Sequence, residues 1–184
     1  MDNTYLIVIV VVVLVVVGLI LGPIFSRRKR SQKLHEKFGG EYDHALKTTG
    51  NDKQAQKELN ERVKHVETLN IRSLSLDERN RYLADWVVVQ SKFVDEPGQA
   101  IGDADRLIME VMQLRAYPVS DFDQRAADIS VNYPDLVANY RAARAIALKN
   151  EQNQADTEEL RQAMIYYRSL FNELLETESD VPSQ

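Results

Sequence analysis

Cysteine is absent from this 184-residue chain, which excludes thiol nucleophiles, thiolate metal sites and disulfides. Histidine is nearly as scarce. His35, His44 and His65 are scattered through polar segments, where lone imidazoles are ordinarily solvated. A dinuclear centre in a helical bundle takes Glu-x-x-His from each of two helices, and the sequence does not supply that pair. Glu41, Asp43 and His44 offer oxygen and nitrogen within one turn, which alone is too little for a metal site, so no metal and no cofactor are expected. Nucleophile elbows of the form G-x-S-x-G and phosphate loops of the form G-x-x-x-x-G-K-[ST] are also missing, and no catalytic residue is assigned.

Positive charge is short once the N-terminus is set aside. Without Asp2 and the five cations Arg27, Arg28, Lys29, Arg30 and Lys33, the chain retains 18 Lys and Arg against 27 Asp and Glu, a net of −9. An acidic field of that size repels phosphates, so nucleic acid is not an expected partner.

What the sequence has in excess is one apolar block. No charged side chain lies between Asn3 and Ser26, and Leu6 to Val17 is unbroken Val, Ile and Leu. The stretch Thr4 to Phe25 reaches roughly 33 Å as a helix, against a bilayer core of about 30 Å. Its 17 Val, Ile, Leu and Phe side chains favour insertion, and in lipid a lone segment satisfies its amides only as a helix. Residues 1–26 are therefore predicted to be a transmembrane anchor, with the lipid bilayer as partner. Three features oppose a cleaved signal: no cation precedes the run, the run exceeds the usual apolar core, and no A-x-A-like site follows. Gly18 and Gly22 form a G-x-x-x-G pair, through which a homodimer is conceivable. The cations Arg27, Arg28, Lys29, Arg30 and Lys33 place the N-terminus outside and the rest in the cytoplasm, and they would rest on anionic headgroups.

Residues 27–52 are expected as a basic juxtamembrane and linker segment, 53–176 as a helical bundle, and 177–184 as a disordered acidic tail. Helical spacing of Leu59, Val63 and Val66 predicts a helix from about Asp52 to Val66. Ser75 and Glu78 form a capping box ahead of a helix with Tyr82, Leu83, Trp86, Val89, Gln90, Phe93 and Val94 on its core stripe. Trp86, the only tryptophan, is expected in the core. Pro97 opens the next helix, whose buried face carries Ile101, Ala104, Leu107, Ile108, Val111 and Leu114. Ser120 with Asp123 is expected to cap a short helix, Pro134 to start another, and Asp156 with Glu159 to cap the last. Lys149 to Asp156 is expected as a polar linker. No segment alternates as a strand does, so the fold class is all-α: one N-terminal transmembrane helix followed by a soluble bundle of about five helices.

Carboxylates cluster at Asp95-Glu96, Asp103 with Asp105, and Asp121, Asp123 and Asp128. Acid/base catalysis needs two such groups converging across a cleft, whereas Asp95 and Glu96 are expected at a helix start ahead of Pro97, and Asp121 and Asp123 in the first turn of another helix, where each complements the dipole. Arg125 and Asp128, three residues apart, are expected as a helix-surface pair. Asp95, Asp121, Arg125 and Asp128 are nevertheless the motif residues carried forward as a candidate interaction site.

The strings Lys37-Phe38-Gly39-Gly40-Glu41-Tyr42-Asp43-His44-Ala45-Leu46, Phe93-Val94-Asp95-Glu96-Pro97 and Asp121-Phe122-Asp123-Gln124-Arg125-Ala126-Ala127-Asp128 resemble those of a family of uncharacterised bacterial single-span membrane proteins. Tyr117-Pro118-Val119 and Leu160-Arg161-Gln162-Ala163-Met164 add to the likeness, which covers Lys37 to Leu175. It implies a short N-terminal span, a helical region and no assigned activity. It further implies Gly where Ala116 stands and His where Tyr133 and Arg144 stand, departures that favour a structural role for the motif from Asp121 to Asp128. The function expected is that of a membrane-tethered helical interaction or scaffold module with a protein partner. The alternative is an enzyme using Asp and Arg side chains in a cleft between the helices around Asp95 and Asp128.

Overall fold

The structure, a computed structural model, describes residues 31–175. Eight helical segments occupy them: α1 (residues 31–38), α2 (Gly40–Thr49), α3 (Asp52–Thr68), α4 (Leu76–Asp95), α5 (Pro97–Leu114), α6 (Phe122–Asn132), α7 (Pro134–Glu151) and α8 (Thr157–Leu174). The all-α class stands, but the expected arrangement is corrected in two respects. Eight segments replace about five, and among the described residues no helix is long and apolar enough to cross a membrane. The span expected over residues 1–26, with Gly18 and Gly22, lies outside the described residues, as do Arg27 to Arg30 and the tail 177–184.

Extra helices come from the segment expected as a linker. Gly39, at φ 48, takes a left-handed angle that side chains disfavour, and it turns the chain between α1 and α2. Phe38, Tyr42 and Ala45 from these two short helices are fully buried against Ala55 and Leu59 of α3, forming a second core with Leu34, Val66 and Val131. Tyr42 also donates to Asp52 at 2.5 Å, across the α2–α3 turn. The stretch reads as polar because its apolar stripe is thin, about one residue in three or four, and it is buried by helices distant in sequence.

The caps largely follow the sequence. In the Ser75 and Glu78 box, the Glu78 amide donates to Ser75 Oγ at 3.3 Å and the Ser75 amide to Glu78 Oε2 at 2.9 Å. Asp156 and Glu159 repeat it at 2.8 and 3.1 Å. At α6 the cap is Asp121 and not Ser120: Asp121 Oδ1 accepts the Gln124 amide at 2.8 Å, one residue later than expected. Helix α7 runs through Lys149 to Glu151, so the linker before α8 is shorter than expected.

The main core joins α4 to α8. Helix α5 packs between α4, α7 and α8, while α7 packs on α8, α6 and α2. Trp86 is 4% exposed and stacks on Phe171 of α8, with ring centroids 4.5 Å apart. Two residues expected on the α4 core stripe are on its outside instead: Leu83 is 37% exposed and Val94 81%. At 100° per residue, Tyr82, Trp86, Val89 and Phe93 fill the buried arc, and Leu83 and Val94 fall about a quarter turn or more away from it.

Candidate functional site

The densest polar constellation joins α2, α3, α6 and α7, centred on a carboxylate placed by the start of α2. Glu41 is 3% exposed and saturated by two guanidinium groups. Arg141 of α7 donates to it through two nitrogens, at 2.6 and 2.8 Å, and Arg62 of α3 donates at 2.6 Å. Arg62 in turn reaches Ser130 Oγ of α6 at 3.1 Å and pairs with Glu58 one turn back. Burial pushes the Glu41 carboxyl up, but the hydrogen bonds from Arg141 and Arg62 outweigh it and hold the group below its ordinary value.

Outside the Glu41–Arg141 pair lies a cavity of about 390 Å³ lined by Gly40, Glu41, His44, Pro134, Asp135, Ala138 and Arg141. Glu41 and His44 complete one Glu-x-x-His tetrapeptide, but both carboxylate oxygens of Glu41 already accept from arginine, which leaves the pair unsuited to a cation.

On the other side of Arg62 sits Asp128, fully buried in α6. Its Oδ1 accepts from Gln124 at 2.8 Å and lies 3.6 Å from His65 Nε2, while its Oδ2 has no hydrogen-bond partner among the described residues. Burial pushes the Asp128 carboxyl up, and the Gln124 bond and the nearby His65 and Arg62 offset this only in part. A buried carboxylate next to an imidazole can orient it for proton transfer, but a hydroxyl to activate is not at hand. Ser130 Oγ is buried and already donates to the Ala127 carbonyl at 2.6 Å.

The structure disperses the four motif residues. Asp95 ends α4, exposed, and not at the start of a helix as expected; Glu96 follows it without a side-chain cap bond to α5. Asp121 is consumed in capping. Arg125 is 6% exposed, donating to Tyr140 Oη at 3.3 Å and the Val119 carbonyl at 3.0 Å. The expected surface pair of Arg125 and Asp128 is therefore corrected: both are buried, with different partners, because α6 is covered on this side by α7 and α3. Lys33 is exposed on α1.

Tyr133 and Arg144, where the family resemblance implies histidines, have structural partners. Tyr133 Oη accepts from Arg115 at 2.9 Å, and Arg144 lies 3.4 Å from buried Asp105. Sequence reasoning weighed Glu41 only as a metal ligand and missed Arg62 and Arg141. A glutamate among buried aromatics in the string from Phe38 to Ala45 was the available signal, but its partners lie 21 and 100 residues away. No protein-family model matches the chain, and neither does any curated protein or solved structure. The family resemblance accordingly rests on the quoted strings alone.

Proposed function

We propose that the chain works by binding, as a helical interaction or scaffold module tethered to a membrane. The observation that carries this reading is the outer face of α4, where Leu76, Leu83, Val87 and Val94 are 60, 37, 60 and 81% exposed and fall on one side of the helix. Single exposed apolar residues are ordinary, but four on one side along about 27 Å of helix, with only Asn80 and Gln90 between them, form a surface suited to a partner helix. The polar network supports the same reading, because the two negative charges of Glu41 and Glu58 and the two positive charges of Arg62 and Arg141 neutralise one another. The localisation proposed is the cell membrane, with the helical region on its cytoplasmic side; its support is the composition of residues 1–26 and the basic run that follows.

The test is a photo-crosslinking amino acid at Val87 in the full chain, compared with one at exposed, polar Gln152. A discrete adduct at Val87 at near-stoichiometric yield, absent at Gln152, is expected. Equal background at the two positions would reject the interaction module.

A further inference from the structure

We infer that the partner of this face is a second copy of the chain, docked antiparallel along α4 about a two-fold axis. The inference rests on the reading of α4 as an interaction face and names its occupant.

Leu76, Asn80, Leu83, Val87, Gln90 and Val94 follow one another at alternating steps of four and three residues. That is the seam of a two-helix coiled coil, with leucine at one kind of site and valine at the other. Asn80 is exposed and Gln90 half-buried, and neither amide has a side-chain hydrogen bond among the described residues. Read from either end, the seam runs apolar, polar, apolar, apolar, polar, apolar. A second copy laid antiparallel therefore sets Leu76 against the partner's Val94, Leu83 against the partner's Val87, and the Asn80 amide against the partner's Gln90. Each apolar layer then pairs one leucine with one valine, so layer volumes stay even along the contact. Parallel pairing would put leucine on leucine at one end and valine on valine at the other, with the helix dipoles aligned unfavourably.

The charges nearest the seam are Asp77 and Arg79 toward one end of α4 and Asp95 at the other, and antiparallel pairing brings none of them against its own copy. At the exposures given, the four apolar side chains leave roughly 400 Å² open per copy, comparable to the largest patch on an ordinary monomer. Pairing two such faces with their flanks covers on the order of 1,000 Å², the lower limit for a specific interface, so the dimer exchanges and dissociates in the micromolar range.

A chain without cysteine makes the test direct, since introduced thiols have no background. Full-length chain carrying Asn80→Cys is mixed with full-length chain carrying Gln90→Cys under mild oxidation. The expected result is a disulfide dimer in the mixture and at least about ten-fold less from either variant alone. Leu83→Glu introduced into both should abolish that link while leaving helicity by circular dichroism unchanged. Self-linking of the single variants equal to the mixture would overturn the antiparallel pairing, and absence of any link throughout the micromolar range would overturn the dimer. In the Val87 photo-crosslink, an adduct of twice the chain mass supports the inference. An adduct with a different protein, without the 80–90 link, overturns the second copy and leaves the interaction module standing, whereas no adduct overturns both.

Discussion

Glu41 and Arg141 stand 100 residues apart in sequence and share two hydrogen bonds of 2.6 and 2.8 Å. With Arg62 on the same carboxylate, they tie the second core to α7. Truncating Arg141→Ala leaves a buried carboxylate with half its partners, a loss of about 2–4 kcal/mol in denaturant melts. The pair also sets a pH dependence. Glu41 is held below its ordinary value of 4.5, so the stability it supplies is complete above that pH and is lost as pH falls through the folded value. Arg141→Ala should flatten the acid limb of stability, and an unchanged acid limb would show that other carboxylates govern it.

Asp128 acts with the opposite sign. Its folded pKa lies above the ordinary 3.8, so the folded state holds the proton that the unfolded state releases, and stability falls as pH rises from 3.8 through the folded value. Asn at this position keeps the shape and removes the charge. Asp128→Asn should raise the unfolding free energy at pH 7 by about 1 kcal/mol, seen as a higher melting midpoint, and have little effect near pH 3. A lowered midpoint at pH 7 would mean that the contact with His65 outweighs burial.

Trp86 stacks on Phe171 with its indole N–H unpartnered among the described residues. Truncation to alanine opens a large cavity between α4 and α8, a cost of about 3–5 kcal/mol. Chemical denaturation followed by circular dichroism measures it, since the mutation removes the only tryptophan. A loss under about 1 kcal/mol would place the ring on a yielding surface.

Ala116 adopts φ 67, the left-handed conformation, where α5 ends and the Tyr117 amide returns to the Met112 carbonyl at 2.9 Å. Relief of that strain exceeds the extra chain entropy of glycine, so Ala116→Gly should stabilise the protein by about 0.5–1 kcal/mol. An unchanged or lowered thermal midpoint would show the angle to be unstrained.

Legibility of the sequence followed the range of the forces involved. Capping boxes at Ser75 and Asp156 and the proline starts at Pro97 and Pro134 are set within four residues, and the structure has them where the sequence predicts. The α1 and α2 helices were not legible, since their burial depends on α3 and α7 and their own apolar stripe is thin. Asp128 was singled out, but for a surface pair with Arg125. The covering helices that desolvate it are distant in sequence, and so are the partners of Glu41. The outward turn of Leu83 and Val94 was also hidden, because an apolar stripe on a helix does not reveal whether it faces its own core or another molecule.

Arg115, near the middle of the chain, donates to the Arg72 carbonyl at 3.1 Å and the Leu174 carbonyl at 3.0 Å, while Trp86 takes its aromatic neighbour from α8. The consequence is one of timing during synthesis. Helix α4 and the end of α5 leave the ribosome before α8, which supplies the ring that Trp86 stacks on and the Leu174 carbonyl that Arg115 reaches. The main core closes only once α8 has been made, and a chain stalled before α8 presents its uncovered interior to chaperones and proteases.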